Sequence, residues 1–336
     1  MEIPDYFYPV TERIPQIPPV ILPVSDHIPR PFWSVMIPTY NSTSYLREAL
    51  ESVLMQDPGP AHMQIEVVDD HSLPEDPRKL VEELGGSRIS YFRQPENRGS
   101  LRNFETCLGR ARGRWVHLLH GDDRVRNGFY SNMEGLIAAY PEAGAACCRF
   151  AYIDSGGKTK FDSDPEQPGP GLLDHWLSRL GERQRQQVAA TVVRRDVYEY
   201  LGGFYGVDYG EDWLMWMRVA SRYPVAYCPE ILADYRIHPR SISGRSFRTG
   251  QNMRDLNWVM QTVSPYFADG EGIHVQHKAR RFYAHYAVRT ANSLWVDLKD
   301  SKAAKIQIRE ALKMHWDPAL CWEIGIIYLK MGLHYG

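Results

Sequence analysis

Between Trp33 and Asp123, four short apolar runs alternate with segments of helical periodicity. The runs are WSVMIP, MQIEVVDD, RISYF and RWVHLLH. Between the first two lies STSYLREALESVLMQ, where Leu46, Ala49, Leu50, Val53 and Leu54 share one helical face. Further helices are predicted near Pro77 to Leu84 and from Ser100 to Ala111. Strands that alternate with helices read as an α/β fold with a mostly parallel sheet and helices on both faces. In such open sheets ligands gather beyond the carboxyl ends of the strands. The chain places Pro38, Thr39, Tyr40 and Asn41 after the first strand, Asp69 and Asp70 after the second, and Asp122 and Asp123 after the fourth. Three polar clusters are therefore expected on one rim.

Residues 1–31 are rich in proline, which forbids helix and favours extended chain. Tyr6, Phe7, Tyr8, Ile21 and Leu22 make this arm too apolar for a plain linker, so it is expected to lie along the body or on a neighbouring subunit. The main domain is read as 32–248, with halves of about 32–144 and 145–248. The second half offers strands in AACCRFAYID and VAATVVRR and a helix in LLDHWLSRL. A glycine-rich turn then enters the helix of GEDWLMWMRVA, and PVAYCPEILADYRIH reads as a strand and a return segment. From about Gly250 onward, 249–336, the pattern is all helical.

The formal net charge is −2 among 336 residues, so no polycationic surface for nucleic acid is expected. The five cysteines are odd in number, sit mostly in apolar runs and form no CxxC. They read as buried free thiols of a reducing cytoplasm. No basic stretch followed by an apolar core opens the chain and no run of about 18 uncharged apolar residues occurs, so neither a secretory signal nor a membrane span is expected. Trp258, Trp295, Trp316 and Trp322 in the C-terminal helices read as core. A peripheral membrane contact, which would put the protein at the inner face of the membrane, and a homodimer interface are the alternatives.

No GxGxxG, GxxxxGK[ST] or GxSxG stands on the rim, so a glycine-rich phosphate cradle is not the design. Adjacent carboxylates repel unless water or a cation takes up their charge. An exposed turn is one reading of Asp122 and Asp123. The other is a site for Mg²⁺ or Mn²⁺, hard cations held by carboxylates together with substrate phosphates.

SVMIPTYNSTSYLREALESVLMQ, IEVVDDHS, ENRGSLRNFETCLGRARGRWVHLLHGDD and GEDWLMWMRVA occur in this order. Together they resemble the nucleotide-sugar-binding and catalytic segments of the family 2 glycosyltransferases, over about Trp33 to Ser243. The resemblance implies the Rossmann-like GT-A fold and an inverting, metal-dependent transfer from a nucleotide sugar. It implies that Pro38, Thr39, Tyr40 and Asn41 hold the nucleobase and that Asp70 accepts its imide hydrogen, a contact suited to UDP or dTDP sugars. It gives Asp122 a ribose or metal-shell role and Asp123 the metal bond. Gly121 stands where an acid is common, which leaves one carboxylate fewer; a glycine there lets the backbone approach a ligand closely. His238 matches a histidine that completes the metal shell or contacts the diphosphate. Asn97, Arg98, Arg102 and Asn103 fall near the nucleotide, with Arg102 favoured as the inward arginine. Asp212 is implied as general base with Glu211 beside it, although acids at a helix start are also favoured by the dipole alone. Arg240, Arg245 and Arg248 read either as a solvated basic loop or as a flap over the diphosphate. The acceptor is expected to be a saccharide, a lipid-linked sugar or a small molecule, in polysaccharide assembly or natural-product glycosylation. The rival readings are a non-catalytic sugar-nucleotide or glycan-binding module and a sugar nucleotidyltransferase. PTYNSTS does not fit the loop expected of the latter.

Overall fold

The computed structural model describes residues 12–238, 242–268 and 270–333. Residues 1–11 of the arm and Arg240 of the basic segment lie outside them. The first half runs β1 (Trp33–Thr39), α1 (Thr43–Leu54), β2 (Met63–Asp69), α2 (Arg78–Gly85), β3 (Ser90–Arg93), α3 (Ser100–Arg110) and β4 (Trp115–Leu118). A short β5 (Arg124–Val125) and α4 (Phe129–Ala139) follow. The second half runs β6 (Ala145–Ile153), β7 (Thr159–Asp162), β8 (Gly171–Leu172), α5 (Trp176–Glu182), β9 (Thr191–Arg194), α6 (Arg195–Leu201), α7 (Glu211–Ala220) and β10 (Val225–Arg236). The helical region is α8 (Ile242–Thr249), α9 (Gln251–Val263), α10 (Glu271–Val296), α11 (Ser301–Met314) and α12 (Pro318–Gly332).

All ten strands join one sheet, ordered β3-β2-β1-β4-β9-β6-β10-β5, with β7 on β6 and β8 on β10. Pairing is parallel through β3, β2, β1 and β4 and again between β6 and β10. Strand β9 lies antiparallel between β4 and β6, and β5, β7 and β8 also pair antiparallel. The parallel character is thus concentrated in the first half, and the sheet as a whole is mixed. Every residue of β1 and β2 is buried, which is why these strands read as nearly unbroken apolar runs. Val35 and Ile37 point into one core with α1, α2 and α4, whereas Met36 points into the other with α3, α7 and the C-terminal helices.

Three local expectations are corrected. PVAYCPEILADYRIH is not a strand and a return but the single strand β10, whose register shifts between Cys228 and Ile231 and again between Ile231 and Ala233. Pro229, which has no N–H to give a ladder, falls inside the irregularity, and the strand continues beyond it. In VAATVVRR only Thr191–Arg194 is strand. The Ala189 carbonyl bonds to His117 rather than to a ladder, and a 3₁₀ turn occupies Val188–Ala190. Arg245 and Arg248 stand on helix α8, not in a loop; Phe247 anchors that helix between the rings of Tyr209 and Tyr286.

Residues 12–31 follow the body without forming a helix or strand. The carbonyls of Pro15 and Pro19 accept from the N–H groups of Gly206 and Gly203, each at 2.8 Å, and Ile21 is buried. Gly202, at φ 77°, is obligatory: a Cβ there would lie 2.7 Å from the Pro19 carbonyl oxygen.

Candidate active site

The end of β1 is the hub of the rim. The Thr39 carbonyl accepts from Asp70 N–H at 2.9 Å and the Pro38 carbonyl from Gly121 N–H at 3.1 Å, so backbone bonds join the three acidic or polar turns. Asn41 sits in the left-handed region at φ 51°, and its side chain accepts from Leu73 N–H at 2.8 Å. Tyr40 is left 47% exposed beside this junction.

The two aspartates after β2 divide the work. Asp69 braces its own turn through Ser72 and the Tyr91 hydroxyl. Asp70 faces the loop before α3: its Oδ1 accepts from Arg98 N–H at 2.7 Å, and its Oδ2 from Gly99 N–H at 2.8 Å and Asn97 Nδ2 at 2.9 Å. Burial outweighs these hydrogen bonds and lifts the Asp70 pKa to about 6. Arg102 does not turn toward Asp70. Its guanidinium is spent on the Glu12 carbonyl at 3.1 Å and on Glu105 at 2.8 Å. Asn103 is buried and ties its amide to the Val68 carbonyl.

Past β4 the chain turns through Gly121. A Cβ on Gly121 would meet Thr39 Oγ1 at 3.0 Å and Ser42 Oγ at 3.1 Å. The glycine is therefore explained by the close approach of the β1 turn, where those two hydroxyls bond each other at 2.6 Å. Protein atoms crowd it, and an acid there would need the Thr39 and Ser42 side chains to give by a few tenths of an ångström.

Asp122, Asp123 and His120 form a group whose ligand atoms lie within 4.8 Å of one another. The Nε2 of His120 and the Oδ2 of Asp123 are buried without a hydrogen-bond partner. Orphaned polar atoms of this kind are costly unless something binds them. Burial keeps His120 neutral by lowering its pKa, and neutral imidazole is the ligating form. Burial and the Asp122 charge push the Asp123 carboxyl well up, whereas hydrogen bonding to His238 helps hold Asp122 low against its own burial. His238 Nε2 lies 2.9 Å from Asp122 Oδ2. The carboxylates and imidazoles fit a divalent cation such as Mg²⁺ or Mn²⁺. His120 escaped sequence reasoning although it stands only two residues before Asp122.

Arg236 escaped it too. Its N–H donates to Asp123 Oδ1 at 2.8 Å and its Nε to the Asp122 carbonyl at 2.7 Å. The rest of the guanidinium reaches the Asp154 and Ser155 carbonyls and Glu48, and it lies over the Tyr45 ring. The period of two along β10 aims Asp234, Arg236 and His238 at the acidic turn and its neighbours. Replacing Arg236 with methionine strands three carbonyls, and it is expected to cost at least about 3 kcal/mol in urea unfolding. A loss below about 1 kcal/mol would show that the turn holds itself.

Asp212 opens α7 after Gly210, which adopts φ 87°. Its Oδ1 accepts from Trp213 N–H at 2.7 Å. The half-buried Gln184 amide nitrogen has no hydrogen-bond partner, yet lies close enough to favour the ionised carboxylate. Burial nevertheless raises the Asp212 pKa to about 6. Glu211 is pushed further up, by burial and then by the charge of Asp212. Near neutrality Asp212 is thus the ionised member of the pair. Burial chiefly, and then the charge of Asp212 among others, raises the phenols of Tyr152, Tyr235 and Tyr283. Tyr235 also feels the charges of Asp122 and Asp123.

The model for glycosyl transferase family 2 matches residues 34–204, about half of the chain and all of the β1 to β4 rim. The chain belongs to that family. This glycosyltransferase is 26% identical over 262 residues to an uncharacterised protein of Mycobacterium tuberculosis (MT1568), covering 72% of the chain and 80% of the relative. It is 33% identical over 104 residues to the succinoglycan biosynthesis protein ExoO of Rhizobium meliloti, over 31% of the chain and only 28% of that relative. Among solved structures, Staphylococcus aureus TarS 1-349 in complex with UDP-GlcNAc superposes with a TM-score of 0.60 at 16% identity, over 84% of the chain and 90% of TarS 1-349. The mannosyltransferase PcManGT of Pyrobaculum calidifontis, in complex with GDP-Man and Mn²⁺, gives 0.52 at 18% identity, over 89% and 90%. Asp212 and His238 lie beyond the matched residues of the family.

Proposed function

We propose that this glycosyltransferase moves a sugar from a nucleoside-diphosphate donor to an acceptor hydroxyl with inversion, in glycan assembly. One observation carries the reading: the turn after β4 and the first turn of α7 each bear an acidic centre, and the two are differently equipped. The first, around Asp122 and Asp123, offers unpartnered ligand atoms on Asp123 and His120, and Asp212 offers an ionisable carboxylate. A carboxylate bonded to a cation is a poor base, so the two tasks need two places.

Tyr40 stacks on the nucleobase, and Asp70, fixed by the 97–99 loop, accepts its imide hydrogen. That contact favours a uracil or thymine donor. Asp123 and Asp122, with His120 and His238, would hold Mn²⁺ or Mg²⁺. When bound, the cation supplies positive charge against the leaving diphosphate. Asp212 takes the proton of the acceptor hydroxyl as that oxygen attacks the anomeric carbon. The bond from that carbon to the diphosphate oxygen breaks on the opposite face, and the nucleoside diphosphate departs with its electron pair. The relative named for succinoglycan biosynthesis supports a polysaccharide setting.

A thermal-shift screen of nucleotide sugars with Mn²⁺ tests the donor. A UDP or dTDP sugar at a hundred times its Kd is expected to add about 2.7 kcal/mol of apparent stability, well above the GDP sugars. Preferential stabilisation by a GDP sugar would overturn the role given to Asp70.

A further inference from the structure

We propose that the outward half of α12, with the basic ridge of α11 beside it, seats this enzyme on an anionic membrane surface. Helix α12 is apolar on two opposite sides. Leu320, Ile324 and Ile327 recur at i, i+4 and i+7 and are buried in the core. Trp322, Ile326, Leu329 and Leu333 recur at the same spacing on the far side and are exposed, Trp322 by 72% and Leu329 by 63%. At 100° per residue, the arc between Tyr328 and Ala319 on that far side holds no charged residue. Glu323 and Lys330 fall on one flank and are turned to His285 and Asn292 of α10. Trp316, just before the helix, is also exposed. A helix apolar all round is normally covered on every side, and an apolar patch of this kind on a protein surface marks a contact site.

The other flank names the partner. Lys305, Arg309 and Lys313 follow one another at i, i+4 and i+8 along α11, and with Leu312 and Tyr328 they line a groove of about 450 Å³ between the two helices. Lys313 is paired with Glu310, but Lys302, Lys305 and Arg309 have no acidic partner among the described residues. Exposed tryptophan and leucine beside unpaired cations suit acyl chains and anionic headgroups together. A second copy suits the face less well. A two-fold contact sets a patch against itself and would bring these cations together. No helix among the described residues is long and apolar enough to cross a membrane, so the contact is peripheral.

The test is sedimentation of the full chain with phosphatidylcholine vesicles, alone or mixed with phosphatidylglycerol. Binding to the mixed vesicles is expected to exceed binding to the neutral ones by about tenfold to a hundredfold and to weaken in high salt. The double variant Trp322→Glu, Leu329→Glu is expected to lose that binding at unchanged Tm. The pair Lys305→Glu, Arg309→Glu is expected to lose only the preference for phosphatidylglycerol. Failure to pellet with the mixed vesicles would overturn the proposal, as would equal pelleting by the first double variant. So would a dimer on gel filtration that this variant splits while vesicles bind neither form.

Discussion

Replacing Asp212 with asparagine is expected to lower transfer by about 10²–10⁴-fold while leaving nucleotide affinity unchanged. The amide keeps the shape and the hydrogen bond from Trp213 N–H but cannot take a proton. Nothing in the Tyr40–Asp70 region touches it. The same change is expected to raise stability. Burial puts the folded-state pKa of Asp212 at about 6, above its ordinary value of 3.8. The folded state then holds its proton more tightly than the unfolded state, and ionisation opposes folding above pH 6. This cost is fully present at pH 8, fades as pH falls from 6 toward 3.8, and is absent below that. The asparagine variant is therefore expected to gain about 1–3 kcal/mol at pH 8 and nothing at pH 3.5. Wild-type transfer is expected to rise through pH 6 as the base ionises. Rates, calorimetric nucleotide titrations and thermal melts at the two pH values check all of this. A variant that keeps a tenth or more of the wild-type rate would remove Asp212 from the chemistry.

Replacing Asp123 produces the opposite pattern. Asparagine preserves the Oδ1 acceptor for Arg236 N–H and so spares the turn, but it takes away the unpartnered carboxyl oxygen Oδ2 that a cation would bind. UDP affinity in Mn²⁺ is expected to fall at least about tenfold, whereas affinity in EDTA stays at the wild-type level. Calorimetry with and without the cation reads both. Equal losses in the two buffers would mean that Asp123 serves the nucleotide site through structure alone. Set beside the Asp212 variant, this one separates binding from chemistry at two aspartates.

The parallel half was legible because its strands are largely buried and three of its strand ends carry clustered acidic and polar residues. Two adjacent aspartates after MQIEVV and two after HLLHG locate the rim before any coordinates do. What stayed hidden depends on long-range contact. Gly121 looked like an opening for ligand, but its tightness comes from Thr39 and Ser42, some eighty positions earlier. His120 was read as the end of a strand because nothing local shows that its Nε2 is left without a partner. Arg236 looks like any arginine near the end of a strand, and its grip on the acidic turn arises from pairing across more than a hundred residues. Arg102 seemed aimed at the nucleotide until the arm supplied the Glu12 carbonyl.

The irregular stretch of β10 around Pro229 and Glu230 has a consequence for how this enzyme would lose function. Strand β10 alternates sides with period two, so its residues beyond the bulge depend on how many precede them. Removing one residue there would bring Ile237 to the place of Arg236 opposite Asp123, and Asp234 to the place of the buried Ala233, wherever the bulge does not absorb the loss. Such a chain would lose the guanidinium that holds the Asp122 carbonyl. Frame-preserving deletions in this short segment would thus behave as active-site lesions, although they lie six or more residues before Arg236 along the strand.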